Sequence, residues 1–369
     1  MKIIRFSFEN KDFEWKLEEI KLNKLNLLVG ASGVGKTQIL KALVSLKEIA
    51  EGKSVNGVKW FIEFETIEQQ NYIWEGEFEI INEEENFEND LAARIIFEKL
   101  FLNKKEIINR IADKIIFNGE QTIRLVQEQS VLHLLKEEIS VKAAQQSIEK
   151  IYFTNQLGFA EKTGSSYFTN DKTIFEKHNT LEKIQESELK ISIKLFLSSI
   201  LKNDFTFKRI NERFISIFPT VESLFVEEIS HSIKKNSIEI YIKEKGVDKW
   251  IELSRMSWGM VRTLKQLSEL YLCKEGTVFL IDEFENSLGI NCINEITTDI
   301  LSSKRQLQFI LTSHHPYIIN NIEFKNWKLV TRNAGIIKAH DMSEFDFGNS
   351  KHEVFMQLLQ LDEYQTGQE

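Results

Sequence analysis

The chain has 369 residues, which at roughly 150 residues per domain means two or three units, or one composite head with an insertion. Hydrophobic residues at 42% and charged residues at 28% allow a buried core and exclude a disordered polymer. A formal charge of −9 excludes a chain basic all over, though it leaves a local basic patch open, and two cysteines, Cys273 and Cys292, exclude a disulfide framework. No apolar run approaches the ~18 residues of a membrane span. The start, Lys2-Ile3-Ile4-Arg5-Phe6 followed by Glu9, Lys11 and Asp12, lacks the apolar centre of a signal peptide. A cytoplasmic location with no membrane partner is expected.

Residues 3–6, 15–17 and 25–29 are expected to be strands, the last a short apolar run ended by Gly30, as for a strand buried on both faces. A helix follows, since Ile39, Leu43, Leu46 and Ala50 share a face and Gly52 ends it. Strands return at 58–64 and 72–80, then an acidic loop containing Glu83-Glu84-Glu85. From Leu91 the spacing of Ile95, Leu100, Leu102, Ile107, Ile108 and Ile111 predicts helix. A hairpin at 114–125 turns on Asn118-Gly119, whose residues supply the positive φ of a type I′ turn. Helix is expected at 129–151, a mobile loop at 155–180, helix at 184–201, and a hairpin turning at Lys245-Gly246. The final third alternates: helix 260–272, strand 277–281, helix 291–302, strand 307–312, short strands near 327–331 and 335–339, and a closing helix at 350–359. Such alternation implies a parallel sheet, with the pieces at 58–81 forming an antiparallel side sheet. The fold class is therefore α/β.

Gly30-Ala31-Ser32-Gly33-Val34-Gly35-Lys36-Thr37 is a complete G-x(4)-G-K-[ST] loop between a buried strand and an amphipathic helix. Its glycines let the backbone wrap phosphates, and its N–H groups point inward at a helix N-terminus, where the dipole favours anions. Lys36 would bridge the β- and γ-phosphates, and Thr37 would ligate Mg²⁺ through its hydroxyl. Thr277-Val278-Phe279-Leu280-Ile281-Asp282-Glu283 is the matching second element, an apolar strand ending in two carboxylates. Asp282 would hold Mg²⁺ directly or through water. Glu283 would orient or deprotonate the attacking water. Glu285 is as readily a salt-bridge partner as a metal-site residue.

A third element, Ser257-Trp258-Gly259-Met260, precedes the helix at 260–272, and a fourth is Thr312-Ser313-His314-His315-Pro316. Together the four resemble the ABC-class AAA-type ATPases. Within these the chain is similar to the stand-alone ATPases grouped with RecF, to the ATPase halves of OLD-family nucleases, and to the ATPase subunits of anti-phage systems. The family pattern runs S-S-G-T-[KR], then D-E-x-E-N-G-L-H-P, then T-T-H-S-P, and the resemblance spans residues 1 to about 340. It implies a P-loop NTPase head of ABC type, with a parallel core sheet, an antiparallel β side sheet and a helical insertion. On this basis residues 1–90 form an N-terminal ATPase lobe, 91–205 a mainly helical insertion, and 206–369 a C-terminal ATPase lobe.

The resemblance also implies that two heads sandwich two ATP molecules. Ser257 and Gly259 would contact the γ-phosphate held by the other head, and His314 would sense it. His315 has no matching role and is expected to be structural, while Asn286 and Ser287 would lie at the dimer seam. Two positions depart from the pattern: Trp258 replaces a small residue, and Gly289 stands where the family has His. Gln127 and Gln129 are the candidates for the Mg²⁺-watching glutamine, and Phe13 and Trp15 for the adenine-stacking aromatic.

About 240 residues separate the loop from the Asp-Glu strand, too few for the heptad arms of SMC-type proteins. The 53 residues after Pro316 are too few for a TOPRIM nuclease domain. The expected function is an ATP- and Mg²⁺-dependent ATPase that forms a homodimer through ATP-bound heads and gates a separate effector, a nuclease or toxin, in anti-phage defence. The alternatives are a RecF-like repair ATPase touching DNA or RNA through lysines such as Lys104, Lys105, Lys234 and Lys235, a nucleotide-stabilised scaffold, and a self-contained nuclease.

Overall fold

The computed structural model describes residues 1–81, 92–154, 166–168, 173–232, 235–286, 288–345 and 351–368. In chain order the elements are β1 (Lys2–Asn10), β2 (Trp15–Lys21), β3 (Leu25–Val29), α1 (Lys36–Ala50), β4 (Val58–Glu65), β5 (Asn71–Phe78), β6 (Ile95–Leu102), β7 (Lys105–Ile111), β8 (Lys114–Phe117), β9 (Glu120–Gln121), α2 (Val131–Leu134), α3 (Ile139–Glu149) and β10 (Ile151–Thr154). There follow β11 (Ser166–Phe168), α4 (Thr173–Lys177), α5 (Leu181–Glu186), α6 (Ile191–Ile200), α7 (Thr206–Ile217), β12 (Val221–Ser232), β13 (Lys235–Glu244), β14 (Trp250–Glu252) and α8 (Trp258–Leu272). The last are β15 (Val278–Ile281), α9 (Ile290–Ser302), β16 (Gln308–Thr312), α10 (Pro316–Asn321), β17 (Trp327–Asn333), β18 (Ile336–Asp341), α11 (Lys351–Gln360) and α12 (Asp362–Thr366). Two compact units result: Met1–Thr154 with Gly276–Phe284 and Arg305–Glu369, and Asn155–Glu275 with Glu285–Lys304.

The first unit is built on a 14-stranded sheet in the order β10-β15-β16-β3-β17-β18-β2-β1-β4-β5-β6-β7-β8-β9. The five strands β10, β15, β16, β3 and β17 are mutually parallel. Every residue of β3, β15 and β16 is buried, which is why these segments are near-continuous apolar runs and not alternating ones, with buried Asn26, Gln308 and Thr312 as the polar exceptions. Helix α1 buries Ile39, Leu40, Leu43, Leu46 and Ile49, each contributing about 1.5–3 kcal/mol on removal from water. From β2 to β9 the neighbours are antiparallel, and β4 and β5 alternate buried with half-buried or exposed positions along their length. The expected parallel core and antiparallel side sheet are thus one continuous sheet, joined where β18 lies parallel to β2.

The helix expected from Leu91 to Ile111 is not formed: residues 95–111 are the strands β6 and β7, paired with each other and with β5. Ile95, Ile96, Phe97 and Phe101 are residue types that favour strands. A register shift between Leu100 and Phe101 breaks the alternation, and such a bulge turns a period of two into spacings that imitate a helix. The hairpin after it is formed as expected, with positive φ at Asn118 (51°) and Gly119 (88°), but its second strand is only Glu120–Gln121. Most of the loop expected at 155–180 lies outside the described residues; of the rest, 166–168 is β11, and α4 occupies Thr173–Lys177.

The new strands carry a buried ion pair. Glu98 lies opposite Arg110 across β6 and β7, both side chains fully buried, with 3.9 Å between Oε2 and Nη1. Arg110 donates to the carbonyls of Gln129 (2.7 Å), Val126 (2.8 Å) and Ala112 (3.2 Å). Glu98 accepts from Trp74 Nε1 (2.8 Å), Val131 N (2.8 Å) and the Ser130 hydroxyl. Burial holds the Glu98 carboxyl above the ordinary carboxylate range. The pair therefore fastens the segment 126–131 to the sheet.

The second unit holds a small antiparallel sheet in which β13 pairs with β12, β11 and β14. Its buried face, Leu224, Val226, Ile238, Ile240 and Ile242, packs on α6 and α7. Arg213 of α7 donates to the Asp299 carboxylate of α9 through Nε (2.8 and 3.0 Å). Lys194 of α6 donates to the Gln185 carbonyl (2.8 Å), and burial pushes its ammonium down to about 8.

Replacing Arg110 by Met leaves the Glu98 carboxyl buried without its counter-charge. The expected cost is about 3–5 kcal/mol, read from urea unfolding. The double substitution Glu98→Gln/Arg110→Met, which removes the charge but keeps an acceptor for Trp74 Nε1 and Val131 N, is expected to recover part of that loss.

Candidate nucleotide-binding site

The phosphate loop leaves β3 at Gly30, whose φ of 140° and whose approach to the Val330 carbonyl both exclude a side chain; a Cβ there would stand 2.5 Å from that oxygen. Gly35, with φ of 103°, caps α1, and a Cβ there would meet Ile337 at 2.5 Å. The glycines are thus required by the strands that back the loop as well as by the loop's own curvature. Helix α1 begins with no side-chain cap and no acidic residue in its first turn. Its first N–H groups and its dipole therefore face the loop uncompensated, the arrangement that attracts an anion.

Lys36 is buried, and its ammonium donates to the carbonyls of Gly30 (2.8 Å) and Ala31 (2.7 Å). Thr37 Oγ1 donates to both oxygens of Asp282, at 2.9 and 3.1 Å. Asp282 follows β15, the next strand but one from β3, so loop and carboxylate meet at the C-terminal ends of parallel strands, where ligands of such sheets bind.

Between them, on β16, stands Thr312, to which sequence reasoning assigned no role. Its Oγ1 donates to Asp282 Oδ1 at 2.6 Å and accepts from the Glu283 amide at 2.8 Å, while its carbonyl accepts from Phe284 N at 3.0 Å. This clamp fixes the turn after β15. Within the turn Glu283 adopts φ of 45°, a left-handed conformation that costs a residue with a Cβ about 1–2 kcal/mol, and its side chain is exposed. The neighbouring hydrogen bonds to Thr312 hold this conformation in place.

A loop, a carboxylate and a clamping hydroxyl in this order make a P-loop nucleotide site. The family described as "AAA domain, putative AbiEii toxin, Type IV TA system" matches residues 25–320. The chain belongs to that family. A protein of Staphylococcus aureus strain MRSA252, "Uncharacterized chromosomal cassette SCCmec type IVc protein CR006", is 24% identical to this AAA domain over 321 residues, which cover 77% of the chain and 41% of the relative. The chain thus spans about two-fifths of the length of the curated relatives it matches. Solved structures similar to it include the SMC head bound to the C-winged helix domain of ScpA (TM-score 0.47, 13% identity, 93% of this chain and 99% of that one). The SMC head domain from Thermotoga maritima is another (TM-score 0.44, 11% identity, 93% and 99%).

The other expected site residues of this AAA domain fall as follows. Ser313 is buried and His314, beside it, is exposed. His315 caps α10, accepting from Tyr317 N at 3.2 Å, the structural part expected of it. Ser257, Trp258 and Gly259 belong to the second unit. There Ser257 caps α8 by accepting from Met260 N (3.2 Å), and Trp258 is 46% exposed. Gly289 is the cap of α9; Ser287 lies outside the described residues. Gln127 and Gln129 offer their main-chain carbonyls to Ile95 N (2.9 Å) and to Arg110, which anchors their backbone to the side sheet.

Of the two aromatic candidates, Trp15 is buried and stacks on Phe8 at 5.3 Å. Phe13 is 74% exposed in the turn before β2. Only Phe13 has a ring face to offer. Lys104 and Lys105 are exposed at the β6–β7 turn, and Lys234 lies outside the described residues.

The outer side of the loop touches a segment that sequence reasoning connected with nothing. Gly367, after α12, packs against Ala31 and Val34, and its carbonyl accepts from Arg332 N at 2.7 Å. Arg332 also donates to Gln38 of α1 at 3.0 Å. Among the described residues no group of three His, Cys, Asp or Glu side chains gathers to hold a metal, and no helix is long and apolar enough to cross a membrane.

Thr312→Val is nearly isosteric and removes the bridge between Asp282 and the Glu283 amide. It is expected to cost about 1.5–3 kcal/mol of stability, as for a hydrogen bond to a charged group, measured by urea unfolding. Ser313→Ala, just after the strand, is the comparison: it loses the bond from His315 N (3.0 Å) but leaves the contact with Asp282 in place.

Proposed function

We propose that this AAA domain binds ATP with Mg²⁺ and hydrolyses it, that two copies close head to head on the nucleotide, and that this closure gates a separate effector, a nuclease or toxin, in anti-phage defence. The observation that carries the nucleotide part is the Thr37–Asp282–Thr312 contact beside an uncapped helix N-terminus. A hydroxyl and one carboxylate are the hard oxygen donors that Mg²⁺ accepts alongside substrate phosphates, so Thr37 and Asp282 fit the ion. When bound, Mg²⁺ would neutralise charge on the phosphates.

The chain's own residues supply the rest. Residues 30–35 wrap the phosphates with backbone N–H groups, and Lys36 exchanges the Gly30 and Ala31 carbonyls for phosphate oxygens. Glu283, projected by its left-handed turn, orients the attacking water and takes its proton. His314, exposed next to the clamp, senses the γ-phosphate, and Phe13 stacks on the base. Ser257 and Gly259 act on the nucleotide of the other copy; the Ser257 cap uses the hydroxyl oxygen as an acceptor, so its O–H remains a donor. The family's description, which names a toxin of a toxin–antitoxin system, supports a link to a toxin; the separate effector and the defence setting rest on the resemblance carried by the four motifs.

Binding of a fluorescent ATP analogue and phosphate release test the enzymatic part. Lys36→Ala is expected to lose binding. Glu283→Gln is expected to bind as the wild type does while turnover falls by roughly 10²–10⁴, the contribution of a general base. Normal turnover in Glu283→Gln removes that residue's assignment, and a wild-type protein that binds ATP without releasing phosphate removes the hydrolytic one.

A further inference from the structure

The small sheet of the second unit has one face turned to the helices and one turned to solvent. Cross-strand pairing sets Phe225 of β12 opposite Tyr241 of β13, and Tyr241 opposite Glu252 of β14. Residues alternate between faces along a strand, so Phe225, Glu227, Glu239, Tyr241, Trp250 and Glu252 share the outer face. On that face Phe225 stands 5.5 Å from Trp250 and 6.4 Å from Tyr241, ring centre to ring centre. Phe225 and Trp250 are each 45% exposed. Three aromatic rings in a row, two of them wet, cost free energy that a folded chain gains nothing from unless something covers them.

The charges around the rings are mostly negative. Glu227 lies directly opposite Glu239, a like-charge pair that weakens a sheet, and Glu252 lies opposite Tyr241 on the other side. Burial, and after it these carboxylates, holds the Tyr241 phenol above its ordinary range. The lysine of this face, Lys243, is 3.9 Å from Glu222. An aromatic row framed by carboxylates repels phosphates. It matches a guanidinium or ammonium instead, which stacks on a ring face and pairs with a carboxylate.

We propose that the outer face of β12, β13 and β14 is a docking surface for an arginine- or lysine-rich segment of another protein, with Phe225, Tyr241 and Trp250 as the stacking platform and Glu227, Glu239 and Glu252 as its counter-charges. The surface is independent of the nucleotide site: none of its residues belongs to the loop, the clamp or the elements expected to act with them.

Calorimetric titration of the full chain tests it, with deca-arginine, deca-aspartate and a ten-nucleotide single-stranded DNA as probes. Deca-arginine is expected to bind and the other two not to respond to changes on this face. Glu239→Gln/Glu252→Gln is expected to weaken deca-arginine, and Phe225→Ser/Trp250→Ser to weaken it by roughly tenfold at unchanged charge. Glu18→Gln/Glu120→Gln, two exposed carboxylates of the first unit, is expected to change nothing. Equal weakening by that control would mean general attraction to an acidic protein and overturn the proposal. Binding indifferent to the aromatic pair, or DNA binding lost with either pair, would overturn it as well. Circular dichroism of each variant separates loss of the surface from loss of the fold.

Discussion

One carboxylate holds the nucleotide site together. Asp282 receives hydrogen bonds from Thr37, 245 residues away in sequence, and from Thr312, 30 residues away, and so joins the phosphate loop to the ends of two neighbouring strands. Asp282 and Thr312 sit where their strands end, and Thr37 lies in the first turn of α1. Through Thr312 the same contact fixes the backbone of Glu283 and Phe284. The parallel core exists to bring these ends side by side: β15, β16 and β3 are adjacent and in register, Ile281 with Leu311 and Leu311 with Leu27. With every residue of these four- and five-residue strands buried, they have little freedom to slip.

Most of this was legible before the structure, for a physical reason. A strand covered on both faces must be apolar throughout, and a loop that approaches another backbone must be glycine, so both features are written in residue types that few other environments demand. The glycines at 30 and 35 illustrate the second point, since their neighbours are the Val330 carbonyl and the Ile337 side chain. The hairpin turn at Asn118-Gly119 was legible for the same reason; that His315 caps α10 was not, beyond its being structural.

What escaped was structure set by partners distant in sequence. The strands at 95–111 carry a bulge that hides their alternation, and they are held by Glu98 and Arg110, whose pairing no local pattern announces. Helix α7 and strand β12 also passed unseen, although α7 buries Ile210, Phe214 and Ile217 on one face. Thr312 looked like any strand-ending residue of a Thr-Ser-His run; only the neighbouring β15 gives its hydroxyl a purpose. The seat of Gly367 on Ala31 and Val34 is likewise a contact between chain segments more than 300 residues apart. Its consequence is that the loop is buttressed from outside by α12 and Arg332 while Lys36 satisfies it from inside.

Under the proposed function, nucleotide is a structural partner as well as a substrate, because the helix dipole, the folded-back Lys36 and the strained Glu283 would all find their complements in a bound triphosphate and its water. The step on which that proposal turns is the closure of two heads on the nucleotide. The direct measurement is the solution molar mass of Glu283→Gln by light scattering, with and without Mg-ATP. A doubling of mass on adding Mg-ATP is the predicted result. An unchanged mass with ATP demonstrably bound would contradict it, leaving the loop and the clamp intact but without a dimer to close.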